Sequence, residues 1–90
     1  MTEADFSAYR TVKEVSEGYI SINPIYLKKF SPGTLRIINR ELLKASISVR
    51  AEKFDYTDIK LVRDKNMRLS RINHAIKIIQ EFCRERKIQL

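Results

Sequence analysis

The residue types that most often carry out chemistry are sparse in this 90-residue sequence. His74 is the only histidine, and Cys83, nine positions later, is the only cysteine. A zinc site needs several such ligands that converge on one point, and a cysteine nucleophile needs a nearby base. Cys83 falls on the apolar side of a predicted helix and is better explained as a small buried hydrophobe, and His74 as a partly solvated flank residue. We therefore expect no metal site, no cofactor and no enzymatic activity.

Asp55 and Asp58 are close enough in sequence to suggest a pair of carboxylates for general acid–base catalysis. They lie where a helix is predicted to begin, and aspartate at that position caps the first turn and complements the positive end of the helix dipole. We interpret both as structural. Residues 31–34 (SPGT) begin a helix but lack the lysine that a glycine-rich phosphate loop requires.

Positive charge is the strongest chemical signal. The chain holds 18 Lys and Arg against 11 Asp and Glu, and the whole excess lies in residues 34–90. The candidate residues for binding a nucleic acid or an acidic protein are Arg36, Arg40, Lys44, Lys60, Arg63, Lys65, Arg68, Arg71 and Lys77. Between Lys60 and Lys77 the only opposing charge is Asp64, whereas most solvated helix faces alternate in sign. The pattern favours contact with a polyanion or an acidic protein, although a plain solvated surface stays an alternative.

Four helices are predicted to position these residues. Glycine and proline are absent from residue 34 onward, which favours long helices. The predicted ranges are 5–16, ended by Gly18; 24–30, begun by Asn23 and Pro24; 32–53, begun by Ser31 and Pro32; and 56–87, begun at Asp55. A weak helical stretch at residues 63–66 leaves open a kink or a break in the fourth helix.

Apolar residues repeat at heptad spacing in both long helices. These seams are Leu35, Ile38, Leu42, Ala45 and Val49 in the third helix, and Leu69, Ile72, Ile76, Ile79 and Cys83 in the fourth. Two such seams joined by a tight turn are typical of an antiparallel helical hairpin. We expect an all-α fold in which two short N-terminal helices pack on this hairpin, as a single domain over residues 1–90.

Two properties of the sequence bear on location and assembly. It shows no signal segment and no apolar run long enough to span a membrane, so we expect a cytoplasmic protein without membrane contact. A chain this short buries only about 60–65% of its unfolded surface. Association with a partner or with a second copy is therefore open.

Residues 22–30 (INPIYLKKF) and the basic helix over residues 67–87 resemble the small basic accessory subunits that bind the main B-family DNA polymerase of crenarchaea. Size, helical content and net charge agree with that family, and a composition with many charges and two glutamines is typical of thermophilic proteins. The resemblance implies a non-catalytic subunit that docks on a DNA polymerase and modestly aids its activity on DNA. It involves no signature motif, so it assigns no site residues.

We therefore expect an accessory subunit of a nucleic-acid machine that contacts DNA through its phosphates. A stand-alone basic nucleic-acid-binding protein and a helical adaptor without nucleic-acid contact are the alternatives. If the basic residues of the fourth helix contact DNA, reversing the charges of Arg68 and Arg71 should weaken binding to all sequences. The fold should survive that change, because both residues flank the apolar seam.

Overall fold

Four α-helices make up most of the described part of the chain. The structure is a computed structural model that describes residues 7–53 and 57–90. The helices are α1 (Ala8–Ser16), α2 (Pro24–Leu27), α3 (Pro32–Ala51) and α4 (Ile59–Glu85). They contain 74% of the described residues, and the described ranges contain no strand, so the predicted all-α class is confirmed. None of the helices described is both long and apolar enough to cross a membrane.

Side-chain caps begin the helices. Asn23 and Ser31 each accept a hydrogen bond from the backbone N–H three residues later (2.8 and 3.4 Å), and a proline follows each, as predicted. Asp58 caps α4 and accepts from two N–H groups of its first turn, at 3.0 and 3.3 Å. The fourth helix therefore begins after Asp58, later than predicted. The expected cap Asp55 lies outside the described residues.

The ends of the two short helices follow from backbone geometry. Gly18 has φ +85°, and the N–H groups of Gly18 and the next residue donate to carbonyls inside α1 at 3.1 and 2.9 Å. This confirms Gly18 as the left-handed residue that ends the helix. α2 stops at Leu27 rather than at residue 30, because the Phe30 N–H closes a turn onto the Leu27 carbonyl (3.2 Å). Pro32 disfavours helical backbone in the residue just before it.

α3 and α4 lie side by side and run in opposite directions. Near the start of α3, Arg36 Nε donates to the carbonyl of Gln89, which follows α4 (2.7 Å). Near the other end, Lys65 Nζ of α4 donates to the carbonyl of Arg50 in α3 (3.3 Å). α4 is helical without interruption from Ile59 to Glu85. The break left open near residues 63–66 is thus absent, and Lys65 in that stretch is tied to α3.

The core lies between these two helices. Its buried apolar members are Leu35, Ile38, Leu42 and Val49 from α3 and Ile72, Ala75, Ile79, Phe82 and Cys83 from α4. The other members of the predicted seams, Ala45, Leu69 and Ile76, pack against this cluster while partly buried. Both predicted seams therefore face the core. Val12 and Val15 of α1 contribute to the same cluster, and so do Ile22 and Leu27.

Candidate nucleic-acid interface

Lys65, one of the predicted binding residues, is buried. Only 9% of its surface is exposed, and its Nζ donates to the carbonyls of Arg50 (3.3 Å) and Glu52 (3.5 Å). These carbonyls lie at the C-terminal end of α3, where unpaired carbonyls and the helix dipole favour a cation. Lys65 therefore holds α4 against the end of α3 and does not present its charge to a ligand.

Arg68 forms a bidentate ion pair with Glu52. Its two terminal nitrogens lie 2.7 and 3.0 Å from the two carboxylate oxygens of Glu52. This hydrogen-bonded guanidinium lowers the pKa of Glu52, and the charge of Lys65 adds to the effect. Because both terminal N–H groups of the Arg68 guanidinium already bind a carboxylate, this side chain is not free to bind a phosphate in the same bidentate way.

Arg71 caps the end of α1. Its Nη1 donates to the carbonyl of Ser16 at 3.1 Å, and its guanidinium lies against Gly18. A Cβ atom at Gly18 would lie 3.0 Å from Arg71 Cζ. The lack of a side chain at Gly18 thus permits both the left-handed backbone conformation and the close approach of Arg71. Three of the six cations predicted on α4 therefore bind other helices of the same chain.

The other three predicted cations of α4 are exposed. Lys60, Arg63 and Lys77 make no ion pair or side-chain hydrogen bond with any residue the structure describes. Asp64, the one acid near them in sequence, interacts electrostatically with Arg68 and so lies on a different side of α4 from Arg63 and Lys77. The charges of Arg63 and Lys77 are therefore unopposed by Asp64, whereas Lys60 lies one helical turn from it.

A longer stripe of polar residues runs along the side of α4 that carries Arg63 and Lys77. It consists of Arg63, Asn66, Ser70, Asn73, Lys77, Gln80 and Arg84, and every member is exposed. The spacing alternates between three and four residues, so the members share one face of α4 and extend over about 30 Å. The stripe, called here the α4 polar stripe, contains hydrogen-bond donors throughout and no acid. Glu81 and Glu85 lie beside its C-terminal third, which leaves the segment from Arg63 to Lys77 the most positive.

Sequence reasoning missed five members of this stripe because it looked only for charge. Asn66, Ser70, Asn73 and Gln80 are neutral, and Arg84 lies beyond the densest run of cations. A signal was available in the sequence. The stripe has the same heptad spacing as the apolar seam of α4 and follows it by one residue, so it lies about 100° around the helix from the seam. Asn73 also accepts a hydrogen bond from Ser46 of α3 at 3.3 Å.

The predicted cations of α3 do not join those of α4 in one site. Arg40 is exposed and makes no ion pair or side-chain hydrogen bond within the described ranges. Lys44 lies 3.5 Å from Glu41, and Arg36 binds the Gln89 carbonyl while staying exposed to solvent. The structure thus does not unite the nine predicted residues in one site. It distributes the exposed ones over the outward sides of two helices.

His74 and Cys83 lie apart on α4. His74 is exposed, whereas Cys83 is fully buried, and burial raises the pKa of its thiol. Within residues 7–53 and 57–90, no three His, Cys, Asp or Glu side chains come close enough to hold a metal ion. The arrangement of the described residues can bind charge and hydrogen-bond acceptors. It brings together no group of residues typical of a catalytic site.

Comparison with known proteins assigns this chain to no family. No protein-family model matches the chain, and no curated protein or solved structure gives a significant match.

Proposed function

We propose that this protein is a non-catalytic accessory subunit of a nucleic-acid machine and that the α4 polar stripe contacts the nucleic-acid backbone. The observation that carries the proposal is an exposed, acid-free row of donors on a rigid helix. In this proposal the two short helices pack on the hairpin of α3 and α4 and hold the stripe outward. The resemblance to polymerase-binding subunits supports a DNA polymerase as the protein partner and DNA as the polyanion.

The chemistry of the stripe fits phosphate better than bases. Arginine and lysine neutralise phosphates, while asparagine, serine and glutamine donate hydrogen bonds to phosphate or sugar oxygens. A length of about 30 Å covers the rise of roughly nine base pairs at 3.4 Å each. Contacts of this kind give affinity and orientation without base preference. An accessory subunit needs those properties, because its machine moves along any sequence.

Our first prediction tests the stripe with the double substitution Arg63→Gln and Lys77→Gln. Loss of two phosphate contacts should weaken DNA binding equally for all sequences. It should also reduce the slope of log Kd against log salt by about one per lost contact. Fluorescence anisotropy with duplex and primer–template DNA at two salt concentrations measures both effects. The fold should persist, since both side chains are exposed and make no ion pair or side-chain hydrogen bond with another described residue.

The matched control removes two positive charges elsewhere on the surface. Lys13→Gln with Lys28→Gln has the same change in net charge, and both lysines are exposed and distant in sequence from α4. This control variant should bind DNA only slightly more weakly than the wild type, through the general effect of its lower net charge. If the wild type and the Arg63/Lys77 variant bind DNA equally at both salt concentrations, the α4 polar stripe is a solvated surface and does not contact DNA.

The same measurement separates the alternatives. A stand-alone nucleic-acid-binding protein should bind DNA with full affinity in the absence of any other protein. An accessory subunit should bind DNA weakly alone and should remain with a B-family polymerase after nuclease treatment. An adaptor should bind the polymerase or another protein and show no change with the stripe variant. The exposed isoleucines of α3, Ile37 and Ile47, are the observation that favours a protein contact.

A further inference from the structure

The outward side of α3 combines exposed isoleucine with exposed cations. Ile37, Arg40, Lys44 and Ile47 alternate at three- and four-residue spacing, so they share one face, and Leu43 adjoins them. Ile47 is 65% exposed, Ile37 43% and Leu43 42%. We call these five residues the α3 outer face. Exposed isoleucine and leucine side chains that share one helix face are typical of a surface that another helix covers.

No described element of this chain covers that face. The buried residues of α3 are Leu35, Ile38, Asn39, Leu42, Ser46 and Val49, which lie on its other side. α1 and α4 pack against that buried side. The isoleucines of the outer face therefore do not belong to the core.

The charges around the isoleucines restrict what can bind. Arg40 lies between Ile37 and Ile47, and Arg36 and Arg50 lie along the edge, so the face is strongly positive. Glu41 is the only acid of α3, and it already pairs with Lys44 at 3.5 Å. A second copy of this chain on the same face would bring like charges together, which disfavours a symmetric dimer. Nucleic acid would satisfy the cations but would leave two isoleucines against phosphate.

We propose that the α3 outer face docks an amphipathic helix of a protein partner, with an apolar row flanked by glutamate or aspartate. Such a helix buries Ile37 and Ile47 and places carboxylates opposite Arg36, Arg40 and Arg50. The role of this partner rests on the proposed function, in which α3 holds the protein while α4 contacts the nucleic acid. Because the α3 outer face and the α4 polar stripe lie on different helices and outside the hydrophobic core, the protein partner and the nucleic acid can bind at the same time.

Our second prediction uses a synthetic helix as the probe. It is a 21-residue peptide, stapled to be helical, with leucine at heptad positions a and d and glutamate at e and g. The glutamates keep the peptide from pairing with itself. Titration into the ¹⁵N-labelled full chain should shift backbone amide signals of residues 36–51 with micromolar affinity. A peptide with lysine in place of every glutamate should not bind.

Two matched variants locate the contact. Ile37→Gln with Ile47→Gln should weaken binding of the acidic peptide at least tenfold, because both side chains lie in the contact. Ile25→Gln with Ile59→Gln removes isoleucines that are even more exposed (81% and 72%) but lie elsewhere, and should leave binding unchanged. All four residues are at least 43% exposed, so both variants should fold.

The outcomes that overturn the inference are distinct from those that overturn the proposed function. Absence of binding at millimolar peptide, equal binding of the lysine peptide, or signal shifts along α4 instead of α3 would each overturn it. The inference would also be overturned if sedimentation velocity showed that the wild type is a dimer and the Ile37/Ile47 variant a monomer. The α3 outer face would then bind a second copy of the chain. Loss of DNA affinity in that variant would assign the face to nucleic acid. The proposed function fails on a different result, unchanged DNA binding by the Arg63/Lys77 variant.

Discussion

At the scale of single residues, cations that look equivalent in the sequence have different roles in the structure. Lys65 and Arg68 lie three residues apart on α4, and both bind groups at the C-terminal end of α3. Lys60 and Arg63, only a few positions earlier, remain exposed without a partner in the described ranges. Reversing the charge of Arg68 and Arg71 would therefore break contacts within the fold, so that substitution is a poor test of DNA binding. Arg63 and Lys77 are the better choice.

Our third prediction concerns the pH dependence of the Glu52–Arg68 pair. The pKa of Glu52 in the folded state lies below its ordinary value of 4.5, because Arg68 stabilises the carboxylate. The pair therefore stabilises the fold fully above that value, and the contribution is lost as the pH falls through the folded-state pKa. Glu52→Gln should have a lower Tm than wild type at pH 7, and the difference should shrink steadily below about pH 4.5.

Thermal melts followed by circular dichroism between pH 2 and pH 7 measure this difference. The effect at neutral pH should be modest, since the side chain of Glu52 is 39% exposed and solvent screens the pair. Glu41→Gln is the control, because its lysine partner is at 3.5 Å and largely exposed. A difference in Tm between wild type and Glu52→Gln that stayed constant down to pH 2 would assign the effect to packing instead of charge.

At the scale of the helices, each end is fixed by a specific local contact, and the end of α1 also depends on α4. Gly18 adopts φ +85°, which costs a residue with a Cβ atom roughly 1–2 kcal/mol. Arg71 reaches from α4 to the Ser16 carbonyl across the same glycine. The end of α1 and its attachment to α4 are therefore one structural unit.

Our fourth prediction is that Gly18→Ala destabilises the fold by about 1–2 kcal/mol from the backbone term alone. Displacement of the Arg71 guanidinium, 3.0 Å from the added methyl group, should add to that loss. Urea unfolding of the two single variants and the double variant with Arg71→Ala separates the terms. The glycine substitution should be less harmful when Arg71 is absent. Additive effects would show that the methyl group and the guanidinium do not interfere.

At the scale of the whole molecule, α3 and α4 share one core and each presents another side to solvent. The described residues extend over 44 × 26 × 19 Å, so the fold is only a few helix diameters wide. In a molecule this thin, each long helix has one side in the core and another in solvent. The two surfaces differ in chemistry. The α4 polar stripe presents neutral donors with cations, with exposed Ile59 and Met67 beside its first turns, whereas the α3 outer face presents isoleucine together with cations. That difference supports the proposal that one small protein binds two kinds of ligand, nucleic acid at the α4 polar stripe and an acidic amphipathic helix at the α3 outer face.

Our fifth prediction concerns the core that joins the two helices. Leu42 and Ile72 are fully buried on facing seams, so Leu42→Ala and Ile72→Ala should each cost about 2–5 kcal/mol of unfolding free energy. Ile47→Ala on the same helix as Leu42 is the control. It should change stability by less than about 0.5 kcal/mol beyond the small effect of helix propensity, because its side chain is 65% exposed. Urea unfolding monitored by circular dichroism gives all three values. Comparable losses for Ile47→Ala and Leu42→Ala would mean that the outer face is packed in solution.

The sequence by itself predicted the four helices, the residues that begin α2 and α3, and the two apolar seams that face the core. These features depend on neighbours within one or two turns: Asn23 and Ser31 cap the helices that follow them, and apolar residues at heptad spacing lie on one face. The late start of α4 was missed because both Asp55 and Asp58 suit a cap, and local rules do not rank them.

Only the tertiary structure decided which cations are free to bind a ligand. Lys65, Arg68 and Arg71 contact groups that lie 15, 16 and 55 residues away in the chain. A long basic side chain reaches whichever carboxylate or carbonyl the packing of another helix brings near, and no local pattern encodes that distance. The α4 polar stripe and the α3 outer face are defined by the same packing. Once α3 and α4 bury their apolar seams against each other, only the faces of each helix outside the core remain accessible to a partner.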